Sequence, residues 1–144
     1  MPLYLCASPN RSIALDAKRD ISRAITDVHC ELTGAPRQFV HVFFFEQEQV
    51  QALGGLPLEQ AGTAPYVLFG NIRSGRSDKI KEALVGGMRQ RVAEILASAL
   101  SEVQMLTRDI EAKWVMEGGD LLPEPGEEAE WLLKHRGSSR TDVA

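Results

Sequence analysis

Apolar residues recur along the chain at two spacings, and those spacings divide it into elements. Leu3-Tyr4-Leu5-Cys6-Ala7 is a short apolar run closed by the turn signal Ser8-Pro9-Asn10, which predicts a buried strand. From about Ser12 to Thr33, Ala14, Ala17, Ile21, Ile25, Val28 and Leu32 step by three and four and form one stripe of a helix. Ser12 stands where a side chain would cap its start, and Gly34 where a left-handed residue would end it. Phe39 to Phe45 is a second strand, whose unbroken apolarity predicts burial on both faces in the middle of a sheet. Residues 46–64, with Gly54-Gly55, Pro57 and Gly62, read as a connection with room for a short hairpin arm.

The pattern then repeats. Tyr66-Val67-Leu68-Phe69 is a third strand, and a second helix runs from about Ser77 to Ala99 with Ile80, Leu84, Met88, Val92, Ile95 and Ala99 on one face. Gly86-Gly87 inside it costs ~1 kcal/mol of helix propensity per glycine, so packing must hold this helix, and close helix approach accounts for the pair. Val103 to Thr107 is a fourth strand. Strand-helix-strand occurs twice with little residue identity between the halves. The predicted fold is α/β (α+β): two βαβ units forming a four-stranded mixed sheet with two helices on one face. The bare face of such a sheet calls for a partner. From Asp109 the chain reads as a helix-like Ile110 to Met116, a Gly/Pro-rich Gly118 to Gly126 and a short amphipathic Glu127 to Lys134. Residues 1–136 form one domain in this reading, and 137–144 a disordered tail.

Composition narrows the function classes. At 144 residues and 44% apolar, one domain can bury a core without a disulfide or metal staple. A net charge of −4 argues against nucleic acid as partner. No apolar run approaches the ~18–20 residues of a membrane span, and the start lacks the features of a secretory signal. Cys6 and Cys30 make no CxxC pair or zinc pattern and fit free thiols in a reducing, cytoplasmic setting. No metal-ligand cluster and no cofactor motif is present.

Four places carry candidate chemistry. Removal of Met1 would make Pro2 a secondary amine, and chain amines titrate near neutrality, at roughly 7.7–8.0. Burial or a nearby cation would lower that value and let the amine both take and give protons. Arg73-Ser74-Gly75-Arg76-Ser77 puts two guanidinium forks at a helix start, where exposed amides favour an anion, and a carboxylate or phosphate would fit. The same loop also fits a solvated basic turn. His29, beside Val28 at the edge of the first helical stripe, fits either a ligand donor or a satisfied core histidine. Glu117, next to Gly118-Gly119, is a carboxylate able to act as a base or a solvated side chain on a turn. His41 reads as structural, His135 is given no role, and Glu124, Glu127, Glu128 and Glu130 read as a solvated face.

Together these residues resemble a known family. Pro2, the segment Ala24-Ile25-Thr26-Asp27-Val28-His29, the loop from Arg73 to Ser77, and Glu117 followed by Leu122-Pro123-Glu124-Pro125-Gly126 are similar to the cis-3-chloroacrylic acid dehalogenase family of the tautomerase (4-oxalocrotonate tautomerase-like) superfamily. The similarity runs from Pro2 to about Trp131. It implies that Pro2 is the catalytic amine once Met1 is gone, that Arg73 and Arg76 bind the substrate carboxylate, that His29 assists binding and that Glu117 activates water. It also implies a homotrimer without cofactor, whose sites lie at the amino ends of the first strands and borrow side chains from a neighbouring subunit.

One position departs from that pattern. Dehalogenases of this family carry a tyrosine 11 residues before the glutamate, and Leu106 stands there. Leucine offers no hydrogen bond at this substrate-site position, so the implied activity shifts to a cofactor-independent tautomerase of small 2-oxo and 2-hydroxy-2-enoic acids. The alternatives are a hydratase or dehalogenase of cis-3-haloacrylates or related three-carbon unsaturated acids, and a non-catalytic trimeric binding protein.

Overall fold

A computed structural model describes residues 2–9, 12–47, 55 and 65–135. Nearly all of the 46–64 connection and the expected 137–144 tail lie outside them. Strand β1 (Leu3–Pro9) pairs in parallel with β2 (His41–Gln47) and antiparallel with β3 (Tyr66–Arg73). Strand β3 pairs in parallel with β4 (Val103–Ile110), which gives the order β2-β1-β3-β4. Each parallel pair is bridged by a helix, α1 (Leu15–Thr33) and α2 (Asp78–Leu96), so the chain is two βαβ units joined through β1 and β3.

Both helices cover one face, and a single core cluster draws on all of these layers. Tyr4 and Cys6 of β1, Leu68 and Ile72 of β3 and Val103 of β4 meet Ile21, Ile25 and Val28 of α1 and Leu84, Met88 and Val92 of α2. The helices themselves touch where Gly87 faces α1. A Cβ there would sit 3.2 Å from Val28 Cγ1, so the absent side chain permits the approach. Gly34 ends α1 at φ 70, as expected. No helix among the described residues is long and apolar enough to cross a membrane.

The structure corrects several boundaries. Helix α1 starts at Leu15 with Ala14 as an uncapped first residue, because the Ser12 hydroxyl is spent on the Pro9 carbonyl at 2.7 Å. Phe39 lies in a 3-10 turn (Arg37–Phe39) and packs on Trp131 with ring centroids 5.5 Å apart. β2 therefore begins at His41, and it is an edge strand. Its aromatic run serves the face opposite the helices: Phe43 and Phe45 are both 50% exposed. The register makes a row of Phe43, Leu5, Phe69 and Leu106 across all four strands of that face. The helix expected over Ile110 to Met116 is absent. Ile110 is the last residue of β4, its carbonyl takes the Ser74 N–H at 2.9 Å, and only a 3-10 turn (Ala112–Trp114) follows.

Beyond β4, the two-residue strands β5 (Met116–Glu117) and β6 (Asp120–Leu121) form a hairpin. Its turn residues Gly118 and Gly119 both have positive φ, the requirement of a tight hairpin. Helix α3 (Glu128–His135) then packs back, with Leu122, Phe39 and Ala112 buried beneath Trp131 and Leu132.

Candidate active site

The amino end of β1 is where the candidate residues gather. Pro2 is fully buried, and its carbonyl accepts the His41 N–H at 3.0 Å, which ties it to the start of β2. Leu3 pairs with Asn71, so the antiparallel register brings Pro2 toward the Arg73 end of β3. Strand alternation turns Tyr4 to the helix side, where its hydroxyl lies 2.7 Å from His29 Nδ1. The Tyr4 ring lies over Gly70. A Cβ at that position would be 2.8 Å from Tyr4 Cε1, so glycine leaves the space the ring needs.

Electrostatics fix the state of this pair. Burial, then the charges of Arg76 and Arg73, push the His29 pKa down to about 4, so the imidazole is neutral at pH 7. Burial also raises the Tyr4 phenol well above its ordinary value, so it keeps its proton. We assign Tyr4 O–H as donor to Nδ1, which puts the imidazole proton on Nε2 and makes that atom a donor.

The two arginines flank the turn into α2. Gly75 between them has φ 100, a conformation side chains rarely adopt. Arg73 is 3% exposed. It donates to the Pro123 carbonyl at 2.5 Å, pairs with the Glu128 carboxylate and lies over the Phe39 ring. Arg76 donates to the Thr33 carbonyl at 3.1 Å, at the negative end of α1, and its Nη2 is 3.9 Å from Glu128 Oε1. Burial, followed by the neighbouring charge of Arg73, lowers the Arg76 pKa. An anion beside Arg76 would relieve that stress.

Two carboxylates border this cluster. Glu117 Oε1 is 3.7 Å from His41 Nε2, while its Oε2 is buried with no hydrogen-bond partner among the described residues. Glu128, expected on a solvated face, is instead buried: one oxygen meets Arg73 and the other accepts the Gly126 N–H at 2.8 Å. Burial works to raise its pKa, but hydrogen bonds from its own backbone, Arg73 and Gly126 override that and hold it below the usual range.

The structure thus brings Pro2, His29, Arg73 and Arg76 to one end of the sheet, with Glu117 linked through His41. Leu106 stands apart within the chain. It lies in mid-β4 on the open face, 47% exposed and paired with Phe69. The sequence assigns Tyr4 no role at the site, makes His41 structural and puts Glu128 on a solvated face, whereas the structure brings all three to this cluster. The signal for Glu128 was positional: Glu128, Trp131, Leu132 and His135 fall at helical steps of three and four, so Glu128 holds a place in the buried stripe of α3. The signal for Tyr4 was that a buried histidine needs a partner, and a hydroxyl two residues after Pro2 supplies one.

Comparison with known proteins agrees with this fold. The sequence profile of the oxalocrotonate tautomerase enzyme family matches residues 1–136. The crystal structure of N1, a member of the cis-3-chloroacrylic acid dehalogenase family, is 27% identical and superposes with a TM-score of 0.80, over 91% of this chain and 90% of that one. An asymmetric trimer of wild-type fused 4-OT is 22% identical with a TM-score of 0.72, covering 83% of this chain and 94% of the other. Macrophage migration inhibitory factor of Toxoplasma gondii is 11% identical with a TM-score of 0.64, over 83% and 99% of the two chains, and shares the fold. No curated protein matches the chain.

Proposed function

The chain belongs to the oxalocrotonate tautomerase enzyme family, within the tautomerase superfamily, and on that premise we propose a cofactor-independent tautomerase of small 2-oxo and 2-hydroxy-2-enoic acids. The observation that carries this reading is the burial of Pro2 beside cationic and neutral donors at one sheet end. With Met1 removed, the Pro2 nitrogen is a buried amine at the sheet end that carries Arg73 and Arg76, and burial and nearby positive charge both lower its affinity for a proton.

The reaction then needs few parts. A 2-hydroxy-2-enoate binds with its carboxylate at Arg76, beside the Glu128-held Arg73, and its 2-oxygen at His29 Nε2–H. The Pro2 amine takes the hydroxyl proton, the C–O bond becomes C=O, and the alkene electrons take a proton from prolinium at C3. The negative charge that develops on oxygen meets fixed donors, the arrangement that contributes most to such barriers. Ketonisation of phenylenolpyruvate, with Met1 removal confirmed by intact mass, tests this. Pro2→Ala should lower kcat/KM by about 10²–10⁴. Equal rates in the two proteins would sink the reading.

Glu117 favours a second reading, hydration or dehalogenation of three-carbon unsaturated acids, because its buried Oε2 has no partner and is free to take a proton from water. Halide release from cis-3-chloroacrylate reports it, and Leu106→Tyr should raise that rate. The open apolar row of Phe43, Leu5, Phe69 and Leu106 supports a partner on that face, and the family resemblance makes the assembly a homotrimer in which Leu106 would face a neighbouring subunit's site. Sedimentation of the purified protein reads the assembly directly.

A further inference from the structure

Arg73 and Arg76 are equivalent by sequence spacing, and their surroundings make them different. The Arg73 side chain is 2% exposed and its hydrogen bonds go to Pro123 and Glu128, both in the segment that closes over the end of β3. Glu128 uses its second oxygen on the Gly126 N–H, so this one carboxylate fastens both arginine and segment. Among the described residues Arg76 donates to the Thr33 carbonyl alone, at 3.1 Å, and stands 3.9 Å from Glu128 Oε1. Two guanidinium groups and one carboxylate retain one net positive charge. His29 adds none, because burial and the arginines keep it neutral.

We infer that Glu128 determines substrate specificity: by neutralising Arg73 it leaves Arg76 as the one unpaired guanidinium for a substrate carboxylate among the described residues at this sheet end, and it restricts the site to monocarboxylates. This rests on the tautomerase reading for the reaction, while the charge rule itself concerns binding. Both guanidinium groups point at the same Glu128 oxygen, and freed of that carboxylate they would carry two positive charges, the charge match for a dicarboxylate. In this chain a second carboxylate at Arg73 would meet the Glu128 carboxylate, and like charges in a partly desolvated site repel.

The test pairs acids that differ by one carboxylate. For turnover these are 2-hydroxypenta-2,4-dienoate and 2-hydroxyhexa-2,4-dienedioate. For binding by calorimetry they are 2-oxohexanoate and 2-oxohexanedioate. The wild-type protein should bind the monoacid about tenfold more tightly than the diacid. Glu128→Gln should raise the diacid-to-monoacid ratio of kcat/KM about tenfold, through KM rather than kcat. Glu128→Asp, which keeps the charge, should restore the wild-type ratio, and so should the double variant Arg73→Met/Glu128→Gln, whose site again holds one net positive charge.

Equal or tighter diacid binding by the wild-type protein overturns the inference without any variant, so it does not depend on Glu128→Gln folding. An unchanged ratio in folded Glu128→Gln, or a ratio still raised in the double variant, overturns it as well. A shifted binding ratio with no turnover in any protein would leave the charge rule standing and sink the tautomerase reading alone. Turnover with no shift in ratio would sink the role of Glu128 alone, and absence of both binding and turnover overturns both.

Discussion

Glu117 and Glu128 lie at the same end of the sheet and live under opposite conditions. Glu128 has both oxygens bonded, a buried guanidinium as partner and a pKa held low. Glu117 has one oxygen 3.7 Å from an imidazole and the other with no partner. The difference separates two uses of a carboxylate. A fully satisfied one fixes charge and shape, because removing its partner leaves a buried ion stranded. One that lacks partners has lone pairs to offer a proton or a water.

That contrast can be broken most forcefully at Arg73. Arg73→Met strands the Glu128 carboxylate and should cost about 3–5 kcal/mol in a urea titration. A loss below about 1 kcal/mol would make Glu128 as free as Glu117 and remove the distinction. Next in size is the effect of pH on His29, which the half-neutralised arginine pair helps keep uncharged. Its folded pKa of about 4 lies below the ordinary 6.5, so the unfolded chain binds the extra proton first. The associated stability is present above about pH 6.5 and is lost as pH falls toward 4, by about 3 kcal/mol. Urea titrations at pH 7 and 4.5 should show this loss in the wild-type protein and a smaller one in His29→Asn. Equal losses in both would place the acid sensitivity elsewhere.

The contrast is sharpened at Glu117 itself. Glu117→Gln should lower water addition to a three-carbon unsaturated acid about 100-fold, while stability changes by less than about 0.5 kcal/mol. A large stability loss would instead place Glu117 beside Glu128 as a fixed group. The smallest effect belongs to its neighbour. His41→Leu should reduce the same rate about tenfold, since the imidazole touches the carboxylate only at 3.7 Å. A loss as great as that of Glu117→Gln would mean the two act as one unit.

Much of this was legible from residue pattern. The two βαβ units, their helical stripes and the Gly87 contact follow from local spacing, because strands and helices repeat at fixed periods. Pro2, His29, Arg73, Arg76 and Glu117 were visible as residue types and as a family resemblance. What spacing could not show was partnership. Phe43 and Phe45 look like the middle of a sheet because a strand with a bare apolar face and a strand covered by helices on both sides are equally apolar in sequence. Glu128 looks like its exposed neighbours because its burial depends on Arg73, 55 residues earlier in the chain. His41 was read as structural because nothing local announces that the β5–β6 hairpin brings Glu117 back to it.

That span of 55 residues also sets an order of assembly. During synthesis β3 and its arginine leave the ribosome well before Glu128 exists, so the nascent sheet end carries two unbalanced cations. The segment made later neutralises one of them, and this end of the sheet acquires its final charge only when α3 docks. Strand β3 and helix α3 therefore complete the same charged cluster, and neither holds that balance of charge alone.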